Sequence, residues 1–523
     1  MIEDPAPRIP DTMQAGEPGL TRRAGYTFVT RALQDATRIF ASFFVTPLII
    51  TGLGAELYGA WAMIQQIVSY LANYDVRAQG TLKLRLAILQ GSRDHGRKRR
   101  LVGAALSLFL FTLPVLILVG GVLVSLCPRF ITVQASNAGQ IRMALAICIA
   151  NLAIGRLFAL PGNVLRGENM EFRSGGLVAL AIAAEALLML CAIEAGFGLP
   201  GLALMSISGL LLSGVIQLVV LLRSVPWFGV NLPSRTEIWE FTRVSIWILI
   251  SGLAHLLLNA SDVLLIGILI SPSAAAVYAA TGAAVRFSLY PLSQLLSSGN
   301  AGIGSLCGTK DWIRLQKLRS EMIVFSLFGC SVIAGPVVAL NSAFVPLWVG
   351  GGFFAGAEVT LLLTASAVLT SVLAVDSLIL DSLLRFRTKA MLLSCGGVLS
   401  LILAVAFSRS FGMGGIVLGI CCGKLAALLL QQQIMRSSTP LWSQSPIHSR
   451  LRPVSCCIIL AAAGYLSQSH IRVENWLDFL PAACAAGIFS TGFFALFGLT
   501  AAQRQTLLER AGTFLKKGGH NVH

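Results

Sequence analysis

Long apolar segments of about twenty residues recur along this chain and limit what it can fold into. A helix of that length crosses a hydrocarbon layer about 30 Å thick, where backbone groups must bond to one another. Only 12% of the residues are charged and 55% are hydrophobic, with a mean hydropathy of +0.78. A soluble protein carries about a quarter of its residues as charges. The chain is therefore predicted to be an all-α polytopic membrane protein, which excludes an ordinary soluble enzyme.

The apolar segments predict about fourteen transmembrane helices. These spans are residues 26–50, 58–80, 101–127, 140–165, 175–195, 201–222, 244–270, 276–300, 320–340, 356–384, 390–408, 414–435, 453–470 and 477–499. Spans 1–6 (26–222) and spans 7–12 (244–435) are predicted to form two lobes, with spans 13 and 14 (453–499) appended. The N-terminal tail, 1–25, is rich in proline and acids, so we expect disorder and no cleavable signal peptide. Residues 500–523 form the C-terminal tail.

The distribution of positive charges predicts the orientation in the membrane. The chain has 39 Lys and Arg residues, of which 29 lie in the tails or in loops that follow even-numbered spans. Four lie in or beside loops that follow odd-numbered spans, and six lie inside spans. Cations that flank short loops are retained on the cytoplasmic side. Both termini are therefore predicted to be cytoplasmic, and this topology accounts for the net charge of +16 without a nucleic acid partner.

Three short motifs recur in the same order at offsets of 214 to 220 residues, which indicates an internal repeat. The pairs are Gly91–Arg97 with Gly308–Arg314, as G-[ST]-[RK]-D-x-x-R, then Tyr58 with Tyr278, and Phe197–Gly201 with Phe411–Gly415. Six spans separate the copies, an even number, so both copies have the same orientation. Parallel repeats of this kind build some secondary transporters, with the substrate site between the two halves.

Span 1 carries Arg31, Asp35 and Arg38 on one helical face. A charge inside a span is costly, so it usually faces a water-filled cavity or a partner. In one interpretation Asp35 pairs with both arginines and the ladder only fixes helix packing. In the other, the two arginines form a net-positive stripe that faces a central cavity and binds an anionic head group. Asp35 is also a candidate for ion coupling.

Span 8 places Arg286 and Tyr290 on one face, and the repeat offset of 220 aligns them with Gln66 and Tyr70 of span 2. A guanidinium group matches phosphate oxygens with two hydrogen bonds, and a tyrosine offers a sugar both an apolar face and a hydroxyl. These four residues are therefore candidates for substrate binding. The alternative is a helix interface lined by tyrosines.

Span 7 carries His255 and Asp262 on one predicted face. Both side chains can change charge when a site opens to water, so they are candidates for coupling transport to an ion gradient. For His255 alone, a buried histidine that is hydrogen-bonded to a neighbouring helix is the interpretation that we favour. Five further ionisable residues lie inside spans without a partner that the sequence identifies: Arg156, Glu185, Asp376, Asp381 and Lys424.

Motifs for nucleotide binding, hydrolysis and metal binding are missing from the sequence. The segment 419–424 resembles a phosphate-binding loop, but Leu418 and Leu425 occupy two of its defining positions. Gly415, Gly419 and Gly423 instead form a stripe of small residues that favours close helix packing in lipid. We expect no cofactor, no metal site and no ATP-driven pump.

The opening of the chain resembles a known family. Thr46–Ile49 and Leu53–Trp61, followed by Asp75 at the end of span 2, resemble the opening of polysaccharide flippases. These are the Wzx-type members of the MOP exporter superfamily, which also includes MATE transporters and lipid II flippases. The sequence departs from the family in one position, because Val76 stands where a glycine usually follows the aspartate.

The resemblance implies a transporter and not an enzyme. It implies that an oligosaccharide carried on undecaprenyl diphosphate moves across the bacterial inner membrane by alternating access, for O-antigen or exopolysaccharide synthesis. Cavity arginines would engage the diphosphate, a role that falls on Arg31 and Arg38, with Arg286 opposite. The partners implied are the membrane, the lipid-linked oligosaccharide and a polysaccharide polymerase machinery.

Two other classes of protein remain as alternatives. A MATE-like drug or cation antiporter would use an acid such as Asp35 to bind cations, although the flanking arginines disfavour this. A membrane polysaccharide polymerase or ligase would need a long outward loop for catalysis. The longest predicted outward loop, 341–355, carries no cation and no acid, so the enzyme is the weaker alternative.

Overall fold

A computed structural model of the protein describes residues 20–90, 92, 94–298, 300–383, 385–438, 448–471, 473–501 and 503–505. All regular secondary structure in these ranges is helical. The prediction of an all-α fold is confirmed. The helices are long and apolar, as expected for segments that cross a membrane.

Fifteen α-helices make up the described part of the chain. The first five are α1 (Leu20–Ile88), α2 (His95–Phe130), α3 (Ala138–Gly167), α4 (Gly175–Glu194) and α5 (Gly198–Ser224). The next five are α6 (Arg235–Asn259), α7 (Asp262–Leu269), α8 (Pro272–Thr281), α9 (Ala283–Ser298) and α10 (Asn300–Gly308). The last five are α11 (Trp312–Val349), α12 (Ala357–Ser382), α13 (Phe386–Ser438), α14 (His448–Ser467) and α15 (Trp476–Phe493).

Nine helices of the described chain are long and apolar enough to cross a membrane, or ten if the bent pair α6 and α7 is one span. Helices α1 and α13 each contain two predicted spans. Predicted span 8 is broken into α8, α9 and α10, and the apolar part of α14 is short, Arg452–Ser467. The chain is thus a multi-pass membrane protein, and the number fourteen stays a prediction.

Helix α1 doubles back at Gly54, which has a positive φ of 79°. A straight helix of 69 residues would be about 100 Å long, yet both ends of α1 reach the short segment between α3 and α4. Near one end, Thr30 lies directly against Gly175. Near the other end, a Cβ added to Gly167 would lie 2.7 Å from the Cβ of Leu86. The first two predicted spans are therefore the two arms of a hairpin.

Helix α13 has the same form, with a turn at Gly412 where φ is 55°. Its two arms pack so closely that a Cβ on the glycines of the second arm would overlap the first arm. The contacting pairs are Gly415 with Phe407, Gly419 with Ala404, and Gly423 with Ser400. The predicted role of this glycine stripe in close helix packing is confirmed.

The repeated motifs adopt matching local structures. Asp94 and Asp311 cap the first turns of α2 and α11, and each carboxylate accepts a hydrogen bond from the backbone N–H three residues later, at 2.8 and 3.1 Å. The repeated turn has a left-handed glycine in both copies, Gly198 with φ of 57° and Gly412 with φ of 55°. The same sequence pattern thus produces the same helix start and the same turn in both halves of the chain.

The two halves meet along the second arm of α1, which packs on α7 and α8. Met63 of α1 lies directly against Gly267 of α7, and Gly59 lies directly against the carbonyl oxygen of Pro272 of α8. Met63 is fully buried in the largest apolar cluster, which also contains residues of α3, α5, α12 and α13. This packed region holds the helices that surround the cavity described next.

Candidate functional site

A cavity of about 1240 Å³ is lined by helices from both halves of the chain. Residues of α1, α4 and α5 form what we call its N-terminal wall, and residues of α6–α9, α12 and α13 form its C-terminal wall. Pockets for drug-sized molecules measure about 300–1,000 Å³. This cavity can therefore hold a ligand larger than a typical drug.

The N-terminal wall presents two charged side chains that lack partners in the described part of the chain. Arg38 of α1 and Glu185 of α4 both line the cavity, and neither forms a hydrogen bond or an ion pair with a described residue. They lie within electrostatic range of each other. Glu185 is held against the backbone of α5, because Gly209 leaves room for its carboxylate. Gln66 and Tyr58 line the cavity nearby, on the second arm of α1.

On the C-terminal wall, Arg286 is fixed by the break between α8 and α9. Its guanidinium group donates a hydrogen bond to the carbonyl oxygen of Ala279. It also lies across Gly282, where an added Cβ would be 2.8 Å from Nη1. Because the helix ends at this point, a carbonyl that would otherwise bond within the helix can accept from a side chain. Arg286 thereby reaches the cavity with part of its guanidinium group still free to bind a ligand.

A second break, of 55° between α6 and α7, positions Asp262. Its carboxylate accepts hydrogen bonds from the backbone N–H of Val263 at 3.0 Å and from the hydroxyl of Tyr278 at 2.5 Å. Tyr278 is 1% exposed and belongs to the apolar core. Asp262 is therefore held by a rigid aromatic residue from α8.

Lys424 of α13 lies on the same wall and is 4% exposed. Its ammonium group donates hydrogen bonds to the hydroxyls of Ser366 at 2.7 Å and Thr370 at 2.8 Å, both on α12. The Thr370 hydroxyl donates in turn to Oδ1 of Asn259 at 2.9 Å. Asn259 is the last residue of α6, so this chain of bonds ends at the break beside Asp262.

Comparison with known proteins identifies the fold. No protein-family profile matches the sequence. The uncharacterized membrane protein EpsK of Bacillus subtilis (strain 168) is 21% identical over 494 residues, which are 90% of this chain and 95% of EpsK. The lipid II flippase MurJ in an inward closed conformation matches with a TM-score of 0.64 and 12% identity, over 91% of this chain and 98% of MurJ.

Two further structures match over 81% of this chain and 97% of their own. A MATE transporter in complex with MaL6 gives a TM-score of 0.58 with 16% identity. A MOP superfamily transporter from Pyrococcus furiosus gives 0.58 with 17% identity. The chain shares the fold of these flippase and transporter structures.

In this fold, four of the residues predicted to form the site line one cavity: Arg38, Gln66, Asp262 and Arg286. They come from α1, α7 and α9. The structure therefore brings together the two arginines that were expected on opposite sides of a central cavity. Their predicted roles in binding and coupling stay predictions.

The placement of Arg31 in the cavity is wrong. Its guanidinium group pairs with Glu171 at 2.5 Å, and Arg166 shares the same carboxylate at 2.7 Å. Glu171 lies in the short segment between α3 and α4, outside the spans. Burial alone would raise the pKa of Glu171, but the guanidinium groups of Arg166 and Arg31 outweigh it and hold the pKa below its ordinary value. The alternative, in which Asp35 pairs with both arginines, is also not observed, because Arg38 does not pair with Asp35.

Two other predicted site residues, Tyr70 and Asp35, do not line the cavity. Tyr70 bonds through its hydroxyl to Ser261 at 2.8 Å, so it joins α1 to the break after α6, as the helix-interface alternative expects. The side chain of Tyr290 lies outside the described residues.

The predicted position of His255 beside Asp262 is wrong. The His255 side chain is exposed and does not line the cavity. The prediction assumed one continuous helix, whereas the break between α6 and α7 turns Asp262 to a different direction. The structure places Tyr278 in contact with Asp262, and Tyr70 and Lys424 within electrostatic range of it.

Sequence reasoning missed the arrangement of three cavity residues. Glu185 and Lys424 were recognised only as ionisable residues inside spans, without partners. Tyr278 served only to mark the repeat, together with Tyr58. Because both tyrosines of this repeated pair line the cavity, the repeat itself carried the signal: equivalent positions in parallel repeats face the axis between them.

Proposed function

We propose that this chain is a flippase that moves a lipid-linked oligosaccharide, carried on undecaprenyl diphosphate, across the bacterial inner membrane for polysaccharide synthesis. The two halves would act as six-span lobes that open alternately to the two sides. The match to the lipid II flippase MurJ and to a protein of Bacillus subtilis supports this proposal. The cation distribution of the loops supports cytoplasmic termini.

The observation that carries the proposal is the unpaired guanidinium group of Arg38 in a cavity of about 1240 Å³. An arginine inside a span normally pairs with an acid, since an unpaired charge in a membrane is costly. An anionic ligand with two oxygens, such as a phosphate, would supply the missing partner. Arg286, from the other wall, offers a second guanidinium group to the same ligand.

The test is export of polymer in cells that lack the gene and carry variants at matched protein levels. Arg38→Ala should lower export by about ten- to hundredfold and cause lipid-linked intermediates to accumulate, because a charge-assisted hydrogen bond is worth about 1.5–3 kcal/mol. Arg38→Lys should restore part of the activity, since an ammonium group cannot form the two parallel bonds. Arg314→Ala is the matched control, as this side chain is 79% exposed outside the cavity. Normal export by both Arg38→Ala and Arg286→Ala would refute the proposal.

A MATE-like antiporter for organic cations is a second candidate, favoured by Glu185. This acid lines the cavity without a hydrogen-bond partner in the described chain, as a site for a cation requires. In that case Glu185→Gln would abolish efflux of a cationic dye, and Arg38→Ala would leave efflux intact. The flippase proposal expects the reverse sensitivity, with Arg38 essential and no dye efflux.

A further inference from the structure

Two lysines are buried in the described part of the chain, and their surroundings differ. Lys98 of α2 is 3% exposed, and its ammonium group pairs with the carboxylate of Glu168 at 2.8 Å. Lys424 is 4% exposed, and no described carboxylate lies within 4.0 Å of its ammonium group. Asp262 acts on Lys424 only from a longer distance. Lys424 is therefore a buried cation held by neutral groups.

The hydrogen bonds of Lys424 leave one of its three protons without an acceptor in the described chain. Two protons go to the hydroxyls of Ser366 and Thr370. The Thr370 oxygen accepts from Lys424, and its own proton is directed away from the lysine, to Oδ1 of Asn259 at 2.9 Å and the carbonyl oxygen of Ser366 at 2.8 Å. The ammonium group thus sets the direction of a hydrogen-bond chain that joins α13, α12 and the end of α6.

Loss of one proton from Lys424 would change this chain. The amine left behind is neutral, so its remaining bonds lose the charge assistance that roughly doubles their strength. It also gains a lone pair, to which the Thr370 hydroxyl can donate instead of donating to Asn259. The attachment of α12 to the last residue of α6 then weakens, next to the 55° break that positions Asp262.

A lysine can make this change, whereas an arginine cannot, because a guanidinium group stays charged in proteins. A buried arginine that also bonds to α12 provides the contrast. Arg319 of α11, 3% exposed, forms two bonds to the carboxylate of Asp376 of α12, at 2.5 and 2.8 Å. That pair is a permanent connection, and Lys424 is a removable one.

Building on the proposed transport function, we infer that Lys424 carries the proton that couples the transport cycle. With its proton, the ammonium group holds α12 to the α6–α7 break. On release, one N–H bond breaks, its electron pair stays on Nζ, and the proton passes to solvent water that enters the cavity. The break is then free to move, and uptake of a proton from the other side restores it.

The other titratable and charged groups on the elements around Lys424 define its competitors. They are the thiols of Cys421 and Cys422 on α13, Asp376 on α12 with its partner Arg319, His255 on α6, Asp262 on α7, Tyr278 on α8 and Arg286 on α9. Asp376 is neutralised by its own arginine. His255 does not line the cavity, but its Nδ1 lies 3.2 Å from Nδ2 of Asn259, at the end of the hydrogen-bond chain. Asp262 and His255 are therefore the main competitors, because both lie at the same break.

The experiment measures the distance between α6 and α7 across the break, in the full-length protein in liposomes. Spin-labelled unnatural amino acids at positions 246 and 268, both exposed, flank the break on α6 and α7. Their distance distribution is recorded by pulsed electron paramagnetic resonance from pH 5 to pH 10. The wild type should shift between two distributions. Lys424→Arg should keep the low-pH distribution throughout, and Lys424→Met should keep the high-pH distribution throughout.

Controls separate this inference from a general effect on folding and from the proposed substrate. Lys98→Arg retains its ion pair and should shift with pH as the wild type does. A wild-type pH profile in Lys424→Met or Lys424→Arg would overturn the inference, as would loss of the profile in Asp262→Asn or in His255→Gln. If the profile follows Lys424 but the wild type does not flip a lipid-linked oligosaccharide, the substrate proposal fails and the coupling inference stands.

Discussion

The two walls of the cavity hold their charges in different ways. On the N-terminal wall, Arg38 and Glu185 reach the cavity without a hydrogen bond to a described residue. On the C-terminal wall, Asp262 and Lys424 are each bonded to hydroxyl groups of neighbouring helices. The first arrangement leaves charge available to a ligand, and the second uses charge to connect helices.

This difference predicts that the walls contribute differently to stability and to transport. A polar network that is fully hydrogen-bonded rigidifies the protein that contains it. A charge without a partner contributes little to stability, and water in the cavity must solvate it until a ligand arrives. Substitutions at the bonded pair Tyr278 and Asp262 of the C-terminal wall should therefore destabilise the fold. Substitutions at Arg38 and Glu185, and at Arg286 with its partly free guanidinium group, should mainly affect transport.

The comparison is tested most strongly by one substitution on each wall. Tyr278→Phe removes the hydrogen bond to Asp262 and should lower the free energy of unfolding by about 2 kcal/mol, the usual value for a bond to a charged group. Arg38→Met should change that free energy by no more than about 0.5 kcal/mol. Denaturation of purified protein in mixed micelles gives both values. Equal destabilisation by the two variants would remove the distinction between the walls.

Two glycines sharpen the comparison, because each gives a charged side chain its position. A Cβ at Gly282 would displace the guanidinium group of Arg286, which lies 2.8 Å away, and Gly282→Ala should lower transport by about tenfold, or ~1.4 kcal/mol. Gly209→Ala should displace Glu185 in the same way on the other wall. Gly176→Ala is the control, since an added Cβ there meets open space. Transport assays at matched protein levels compare the three variants. Full activity of Gly282→Ala would show that transport does not depend on the position of Arg286.

A smaller expected effect on the free energy of unfolding comes from Glu171, which lies outside the spans. The pKa of Glu171 is lowered because the guanidinium groups of Arg166 and Arg31 outweigh the effect of burial. Its contribution to stability is therefore present above the ordinary pKa of about 4.3 and is lost as the pH falls through the lowered value. Both arginines are about 40% exposed, so solvent screening limits the contribution to about 1 kcal/mol. Glu171→Gln should flatten the acid limb of unfolding measured against pH, and an unchanged limb would contradict this.

Features set by local composition could be predicted from the sequence. Apolar length places the helices, and the repeated motif around Asp94 and Asp311 marks two equivalent helix starts. Arg38 and Arg286 could be proposed as cavity residues because a charge inside a span is costly unless it faces water or a partner. Each of these predictions depends on one segment and its length.

Pairings between distant segments could not be predicted. Arg31 has Asp35 four residues away, yet it pairs with Glu171, which the packing of α4 against α1 brings closer. The sequence shows that Asp262 has no cation on its own helix. It does not show that Lys424 of α13 lies within electrostatic range of Asp262 in the folded protein. The break after Asn259 contains neither Gly nor Pro, although Ser261 and Asp262 are residue types that favour a helix start.

The turns at Gly54 and Gly412 have a consequence for how the protein is made. Each joins two arms within one apolar segment, 48 and 50 residues long. The polar residues at each turn are few, Glu56 after Gly54 and Ser408–Ser410 before Gly412, so the arms are joined by a tight turn and not by a long hydrophilic loop. Each segment should therefore leave the insertion machinery as a closed hairpin. The glycines in the second arm of α13 would then pack against the first arm before other helices can contact them.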